Sequence, residues 1–263
     1  MSKPTKQRLD QLLVAKGLVP TRAKAQGMIM AGEVLVNGRC VDKAGALFDD
    51  TVSVTLKSRP QFVSRGGEKL NAALQRFGLE VEGRVAVDVG ASTGGFSDCL
   101  LQRSVSKIYA LDVGYGQMAQ RVRDDARVVV MERTNARYVE SLPEVVSLAV
   151  IDVSFISLRL ILPAVVRWLA PQADVVALIK PQFEAGKESV GRGGIVRDER
   201  VHRQVLATVL GYSHELGLRT AGTMASPILG AEGNREFLAW WRWGADVLSR
   251  PLETWIEQAI ADR

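Results

Sequence analysis

VAVDVG, at residues 85–90, is an apolar run of strand type that breaks directly into the glycine-rich turn ASTGGF. Glycine lets a backbone turn tightly and approach a neighbour closely, so this junction reads as a strand entering a helix through a ligand-facing loop. The pattern then alternates. KIYALDVG (107–114), RVVVM (127–131), SLAVIDVS (147–154) and DVVALIK (174–180) read as strands. FSDCLLQR, YGQMAQRVR and DERVHRQVLATVLGYSHELG (198–217) read as helices. LRTAGTMAS and REFLAWWRW are late strands, and PLETWIEQAIADR is a terminal helix. Ahead of the first strand, Lys69, Leu70, Ala73, Leu74 and Phe77 have helical spacing, and Gly78 ends the run. This alternation predicts an α/β chain with a doubly wound, mainly parallel sheet and a crevice at the carboxyl ends of its strands.

The loop after the first strand says what that crevice can take. A dinucleotide fold prefers G-x-G-x-x-G with a pyrophosphate on the helix N-terminus. Here the loop is D-x-G-x-x-x-G-G, with Asp88 inside the strand end and no base beside it. An acid opposes a pyrophosphate and suits a cationic moiety. The second strand ends at Asp112, about twenty residues on, where a carboxylate can accept ribose hydroxyls. These features point to S-adenosylmethionine, with Asp88, Gly90, Ser92, Gly94, Gly95 and Phe96 on the first loop and Asp112 at the ribose. Asn135, after the third strand, is placed to read the adenine edge.

Charge separates the first sixty residues from the rest. They hold ten bases (Lys3, Lys6, Arg8, Lys16, Arg22, Lys24, Arg39, Lys43, Lys57 and Arg59) and five acids (Asp10, Glu33, Asp42, Asp49 and Asp50). That is the whole net charge of +5. RLDQLLVAKGL (8–18) has helical spacing, with Leu9, Leu12, Leu13 and Lys16 on one face. Thr21 is a candidate N-cap for a second helix that turns Ala25, Met28 and Ile29 inward and stops at Gly32. Asn37-Gly38 between short apolar runs signals a hairpin, and VSVTL (52–56) a further strand. KSRPQ (57–61) reads as a short linker. A compact basic unit of this kind suits phosphates. Its few aromatics favour shape recognition of folded RNA over reading of a single strand.

Composition narrows the setting. The chain is 47% hydrophobic and 24% charged, which excludes wholesale disorder. The start lacks an apolar signal region, and Asp152, Arg159 and Arg167 break the longest apolar stretch, Leu148 to Ala170. Cys40 and Cys99 lack metal-ligand spacing, so no metal site is expected, and a reduced cytoplasmic protein is. A monomer is the separate expectation for its oligomeric state. In the crevice, Asp152 ends strand four and Lys180 ends strand five, with Lys69 and Glu236 as further candidates. Pro181 opens a Gly- and charge-rich loop suited to facing a substrate. Arg65, Lys187, Arg192 and Arg197 add cations near it.

RLDQLLVAKGLVPTRAKAQGMIMAGEVLVNG resembles the alpha-L RNA-binding module of a small-subunit ribosomal protein and many RNA-modifying enzymes. SRGGEKL, DVGASTGGF, DVGYGQ, DVSFISL, LIKPQFE, GGIVRD and the late GN-x-E segment resemble the FtsJ-like 2'-O-ribose RNA methyltransferases. In order along nearly the whole chain they resemble the TlyA family, also called haemolysin A. The resemblance implies an alpha-L type RNA-binding domain over 1–57, a linker over 58–64 and a methyltransferase domain over 65–263. It implies a Rossmann-like methyltransferase sheet with a small N-terminal α+β RNA-binding domain. The substrate implied is a ribose 2'-hydroxyl of ribosomal RNA, cytidine by resemblance, with ribosomal RNA or subunits as partner and neither DNA nor membrane. The family's Lys-Asp-Lys-Glu tetrad falls on Lys69, Asp152, Lys180 and Glu236. Lys180 then acts either as the base or as the cation holding the forming oxyanion, with Asp152 and Glu236 orienting the lysines. Arg8, Arg22, Lys24, Arg39 and Arg65 are the implied RNA contacts. Many relatives in the wider superfamily have Pro-Gly-Gly-Trp where this chain has Thr93-Gly94-Gly95-Phe96. A membrane-active haemolysin and a non-catalytic ribosome assembly factor are the competing expectations.

Overall fold

The computed structural model describes residues 6–57, 60–230, 233–245 and 250–262. Ser58 and Arg59, in the expected linker, lie outside them, as does the Lys187 side chain. The chain divides into two compact units, residues 1–60 and 61–263.

In the first unit β1 (Gln7–Arg8) leads into α1 (Leu9–Ala15), and α2 (Arg22–Met30) follows. Thr21 caps α2, its hydroxyl accepting from the Lys24 amide at 3.3 Å. β2 (Val34–Val36) and β3 (Arg39–Cys40) form the hairpin, with Asn37 and Gly38 both at positive φ as a two-residue turn of that hand requires. β4 (Leu47–Phe48) pairs with β1, and β5 (Val54–Leu56) completes the sheet β3-β2-β5. Leu9, Leu13, Val19, Ala25, Ile29, Val34 and Val36 form the core. Lys16, expected on one helical face with Leu9, Leu12 and Leu13, lies beyond the helix: α1 ends at Ala15, and the ammonium bonds the Asp50 carbonyl at 2.9 Å on the surface.

The second unit runs α3 (Arg65–Phe77), β6 (Val85–Val89), α4 (Gly95–Gln102), β7 (Lys107–Leu111), α5 (Gln120–Arg123) and β8 (Val128–Met131). It continues with β9 (Val146–Ile151), α6 (Leu158–Trp168), β10 (Leu169–Ile179), α7 (Pro181–Glu184), α8 (Glu199–Glu215), β11 (Arg219–Ala225), β12 (Phe237–Trp243) and α9 (Leu252–Ala261). The sheet order is β11-β12-β10-β9-β6-β7-β8. Every pairing is parallel except those of β12, which runs antiparallel to β10 and β11. The strand order reverses between β6 and β9, the place where a crevice opens in such sheets.

Alternation along the strands builds two cores. Val87, Val89, Ala149, Ile151, Val175 and Ala177 face α6, α8 and α9. Ala86, Ile108, Leu148, Val150, Val176 and Leu238 face α3 and α4. Phe62 is buried in this second core, and the Val63 amide donates to Asp98 at 2.8 Å, so residues 62 and 63 of the expected linker are built into the body. Two further departures concern helices. The apolar stretch ending near Ala170 contains α6, with Arg159 and Arg167 on its exposed face. The helix expected over 115–123 is one turn only, because Gly114 and Gly116 keep the chain in a loop. Among the described residues no helix is long and apolar enough to cross a membrane.

Candidate active site

Sheet topology brings four distant side chains together. Asp152 follows the last residue of β9 and Lys180 the last of β10, and these strands are parallel neighbours. Glu236 arrives by the opposite route. It precedes β12, and because that strand is reversed, Phe237 pairs with Ile179. The beginning of β12 therefore lies beside the end of β10. Lys69 comes from α3, whose first turn lies close against that of α4. A Cβ on Gly95 would stand 2.1 Å from the Ser64 hydroxyl and 3.0 Å from the Gly67 amide, so SRGG and TGG are one packing solution read in two places.

The buried Lys69 ammonium pairs with Glu236 at 2.5 Å. Lys180 pairs with Asp152 Oδ1 at 2.6 Å, off the hydrogen-bonding direction of that oxygen, and donates to the Ser154 hydroxyl at 2.9 Å. All four tetrad residues line one cavity of about 350 Å³, together with Arg65, Gly95, Phe96, Ser154 and Phe155. A second cavity, about 460 Å³, is lined by Gly90, Ser92, Asp112, Asn135 and the apolar Val113, Ile156 and Ile161. The two share Gly90, Ser92, Asp152, Ser154 and Phe155.

The second cavity has the donors and acceptors a nucleoside needs. Asp112 receives the Gly114 amide on one oxygen (2.6 Å) and the Ser92 amide on the other (2.7 Å). Each oxygen keeps a lone pair for a ribose hydroxyl. Asn135 accepts from the Arg137 amide at 3.1 Å, which leaves its NH2 to donate to a base edge. The isoleucines supply an apolar wall. These residues fit S-adenosylmethionine.

Not every expected cofactor residue reaches that cavity. Asp88 and Gly94 line neither cavity, and Gly95 and Phe96 line the tetrad cavity alone. Asp88 shares the strand face of Ala86, turned toward α3 and α4, and is fully buried. The Ser97 hydroxyl donates to one oxygen at 2.7 Å, and among the described residues the other has no partner. Burial, assisted by the charges of Asp152 and Asp112, pushes its carboxyl up to about 7.

In the first unit the expected RNA contacts divide. Asp10 is fully buried and accepts from Arg8 (3.1 Å), Arg22 (2.8 Å) and Gln26 (2.8 Å). The hydrogen bond from Arg8 above all holds its carboxyl well below the usual range. Arg22 and Gln26 thus fasten α2 to Asp10 of α1, and Arg8 closes on the same carboxylate from β1, with 41% of the Arg8 and 51% of the Arg22 side chain left exposed. Lys24 and Arg39 are exposed, and among the described residues neither has such a tie.

Three residues of the second unit escaped notice in the sequence. Ser154 holds Lys180. Buried Asn234 bonds the Val196 amide and the Gly194 carbonyl, pinning part of the loop after α7. Glu184 accepts from the Ser157 hydroxyl at 2.6 Å and the Leu158 amide at 2.7 Å, tying α7 to the start of α6. DVSF, GN-x-E and KPQFE carried these residues, but only the fold shows what they touch.

The family model for FtsJ-like methyltransferases matches residues 62–243, and that for the S4 domain matches residues 7–49. "Putative rRNA methyltransferase YqxC" of Bacillus subtilis is 50% identical over 90% of this chain and 86% of its own. "16S/23S rRNA (cytidine-2'-O)-methyltransferase TlyA" of Mycobacterium tuberculosis is 42% identical over 97% of each chain. A solved structure described as "Putative hemolysin from Streptococcus thermophilus" is 44% identical, with a TM-score of 0.74 over 99% of this chain and 96% of that one.

Proposed function

Because this chain belongs to the FtsJ-like methyltransferase family, with an S4 domain ahead of the catalytic body, we propose that it transfers a methyl group from S-adenosylmethionine to a ribose 2'-hydroxyl of ribosomal RNA. The target nucleoside is a cytidine, as the name of the Mycobacterium tuberculosis relative states for that protein. The observation that carries the reading is the pair of adjoining cavities, one suited to a nucleoside and one lined by the tetrad.

S-adenosylmethionine supplies an activated sulfonium methyl. The protein's share is alignment and management of one proton. Asp112 and Asn135 hold the nucleoside part of the cofactor. Asp152 and Ser154 hold the Lys180 ammonium from one side, leaving an N–H for a substrate oxygen in the cavity. Lys180 thus faces the 2'-oxygen and stabilises negative charge there as the methyl is transferred. Lys69, kept in place by Glu236, sets a second positive charge at the same cavity. Arg65, exposed at that cavity, faces RNA phosphate. Lys24 and Arg39 of the S4 domain bind RNA from the basic first unit. The setting is the cytoplasm, where an exposed free thiol such as Cys40 persists, and the working form is a monomer.

The test incubates ribosomal RNA from cells lacking this protein with methyl-labelled cofactor. Label is expected at a ribose 2'-O position, and Lys180→Ala is expected to lower incorporation about a hundredfold or more. Equal labelling by that variant, or label only on bases, would reject the assignment.

A further inference from the structure

Beside the cofactor cavity lies a surface that its lining residues do not use. Tyr115 follows Gly114 of the cavity wall, and Tyr138 closes the short turn that begins at Ala136 of the same wall. Both rings face solvent, at 67% and 72% exposure. Each carries a guanidinium. Arg133 lies 4.3 Å from the centroid of Tyr115, and Arg137 lies 5.4 Å from that of Tyr138. Arg121, Arg123 and Arg127, from the same stretch of chain, are tied to Asp98, Glu132 and Asp125. Among the described residues Arg133 and Arg137 meet no carboxylate. Glu132, the acid next to Arg133, is occupied by Arg123 and the Gly116 amide.

The backbone favours the same surface. Arg133 has φ +54, a left-handed conformation that a residue bearing a Cβ rarely adopts. Its amide is fixed to the Gly114 carbonyl at 3.0 Å, so the fold maintains that conformation. Exposed Val113 and Phe155, both on the cavity wall, extend the apolar surface around the mouth.

A solvent-facing ring with a free guanidinium over it suits one class of partner. An unpaired base stacks on the ring, and the guanidinium takes the neighbouring phosphate. A duplex keeps its base faces covered and cannot use the rings. We propose that Tyr115–Arg133 and Tyr138–Arg137 form a docking strip for unpaired RNA nucleotides adjoining the methylation target. Arg133 and Arg137, with no carboxylate partner among the described residues, complement a polyanion. The proposal rests on the methyltransferase reading for what lies beside the strip, but its binding chemistry is separate.

The experiment uses the full-length protein and fluorescence anisotropy with two labelled probes, a twelve-nucleotide unpaired pyrimidine RNA and a duplex RNA of the same length. Y115A/Y138A is expected to weaken binding of the unpaired probe at least tenfold and to leave duplex binding unchanged, while Y115F/Y138F retains wild-type affinity. R133Q/R137Q should flatten the log–log salt dependence for the unpaired probe by about 1.4, two cations at about 0.7 each. Melting temperatures and calorimetric affinity for S-adenosylmethionine should match wild type, since none of the four residues lines the cavity. Unpaired-probe affinity for Y115A/Y138A within twofold of wild type overturns the proposal. So does an alanine variant that methylates naked ribosomal RNA normally but fails on intact subunits, which would assign the strip to a protein partner. Loss of unpaired-probe binding in a protein that methylates no ribosomal RNA would reject the methyltransferase reading and leave the strip standing.

Discussion

Replacing Asp88 by asparagine should stabilise the protein by an amount that grows with pH. The folded carboxyl titrates at about 7 because it is buried, against an ordinary value of 3.8. Between those values the folded chain retains a proton that the unfolded chain has released. The wild type is therefore most stable below about pH 4, loses stability as pH rises to about 7, and is level beyond. The displacement is about three pH units, and each is worth about 1.4 kcal/mol, so the loss is roughly 4 kcal/mol. Asparagine cannot ionise, and its side-chain carbonyl can still accept from Ser97. Thermal unfolding without cofactor, followed by circular dichroism from pH 4.5 to 8.5, measures the difference. The advantage of Asp88→Asn should widen by on the order of 3 kcal/mol across that range. At about 2–4 °C per kcal/mol for a domain of this size, that is roughly 10 °C in melting temperature. His202 and His214, both lowered by burial, act on stability in the opposite sense. They are common to both proteins, so the difference between the curves isolates Asp88. Curves that run parallel from pH 4.5 to 8.5 would refute the placement of an unsatisfied carboxyl beneath the loop.

Gly230→Ala should disable the site without unfolding it. A Cβ there would stand 2.1 Å from Glu236 Oε1 and push that carboxylate off Lys69, so kcat is expected to fall at least about tenfold with an unchanged circular dichroism spectrum. Asp10→Ala should destabilise the first unit by about 2 kcal/mol, measured by urea unfolding, because Arg8, Arg22 and Gln26 lose a shared acceptor while both arginines remain partly solvated. Lys24→Gln with Arg39→Gln should reduce the slope of log affinity against log salt by about 2 for structured RNA, read by filter binding. Glu184→Ala frees the Ser157 hydroxyl and Leu158 amide, and single-turnover labelling should show slower methyl transfer while RNA affinity is kept.

Much of this site can be read along the chain. Strand periodicity and carboxyl-end logic place Asp152 and Lys180 in one crevice, because both follow parallel strands directly. Asp112 is legible for the same reason. Lys69 and Glu236 come from the family resemblance and not from that logic, since one lies on a helix and the other ahead of a strand whose reversal leaves no mark in REFLAWWRW. Asp88 shows the limit of reading a motif by its position. It belongs to the glycine-loop pattern, but the two-residue period of β6 turns it under the loop and not into the cavity. Helix α6 was hidden because a buried strand, a helix and a second buried strand follow one another with little polar punctuation. Arg8 and Arg22 look like RNA ligands in a basic sequence, and only the burial of Asp10 shows that both also hold a buried carboxylate, Arg22 across two helices.

The reversed strand β12 bears on how the protein comes into being. β11 pairs with β12 alone, and β12 occupies the gap between β10 and β11. The strand made earlier must therefore wait, unpaired on both edges, for one made later. Glu236 enters the cavity only when that gap is filled. Until then the tetrad is incomplete, so catalytic competence arrives with the last pairing of the sheet and not with its parallel part.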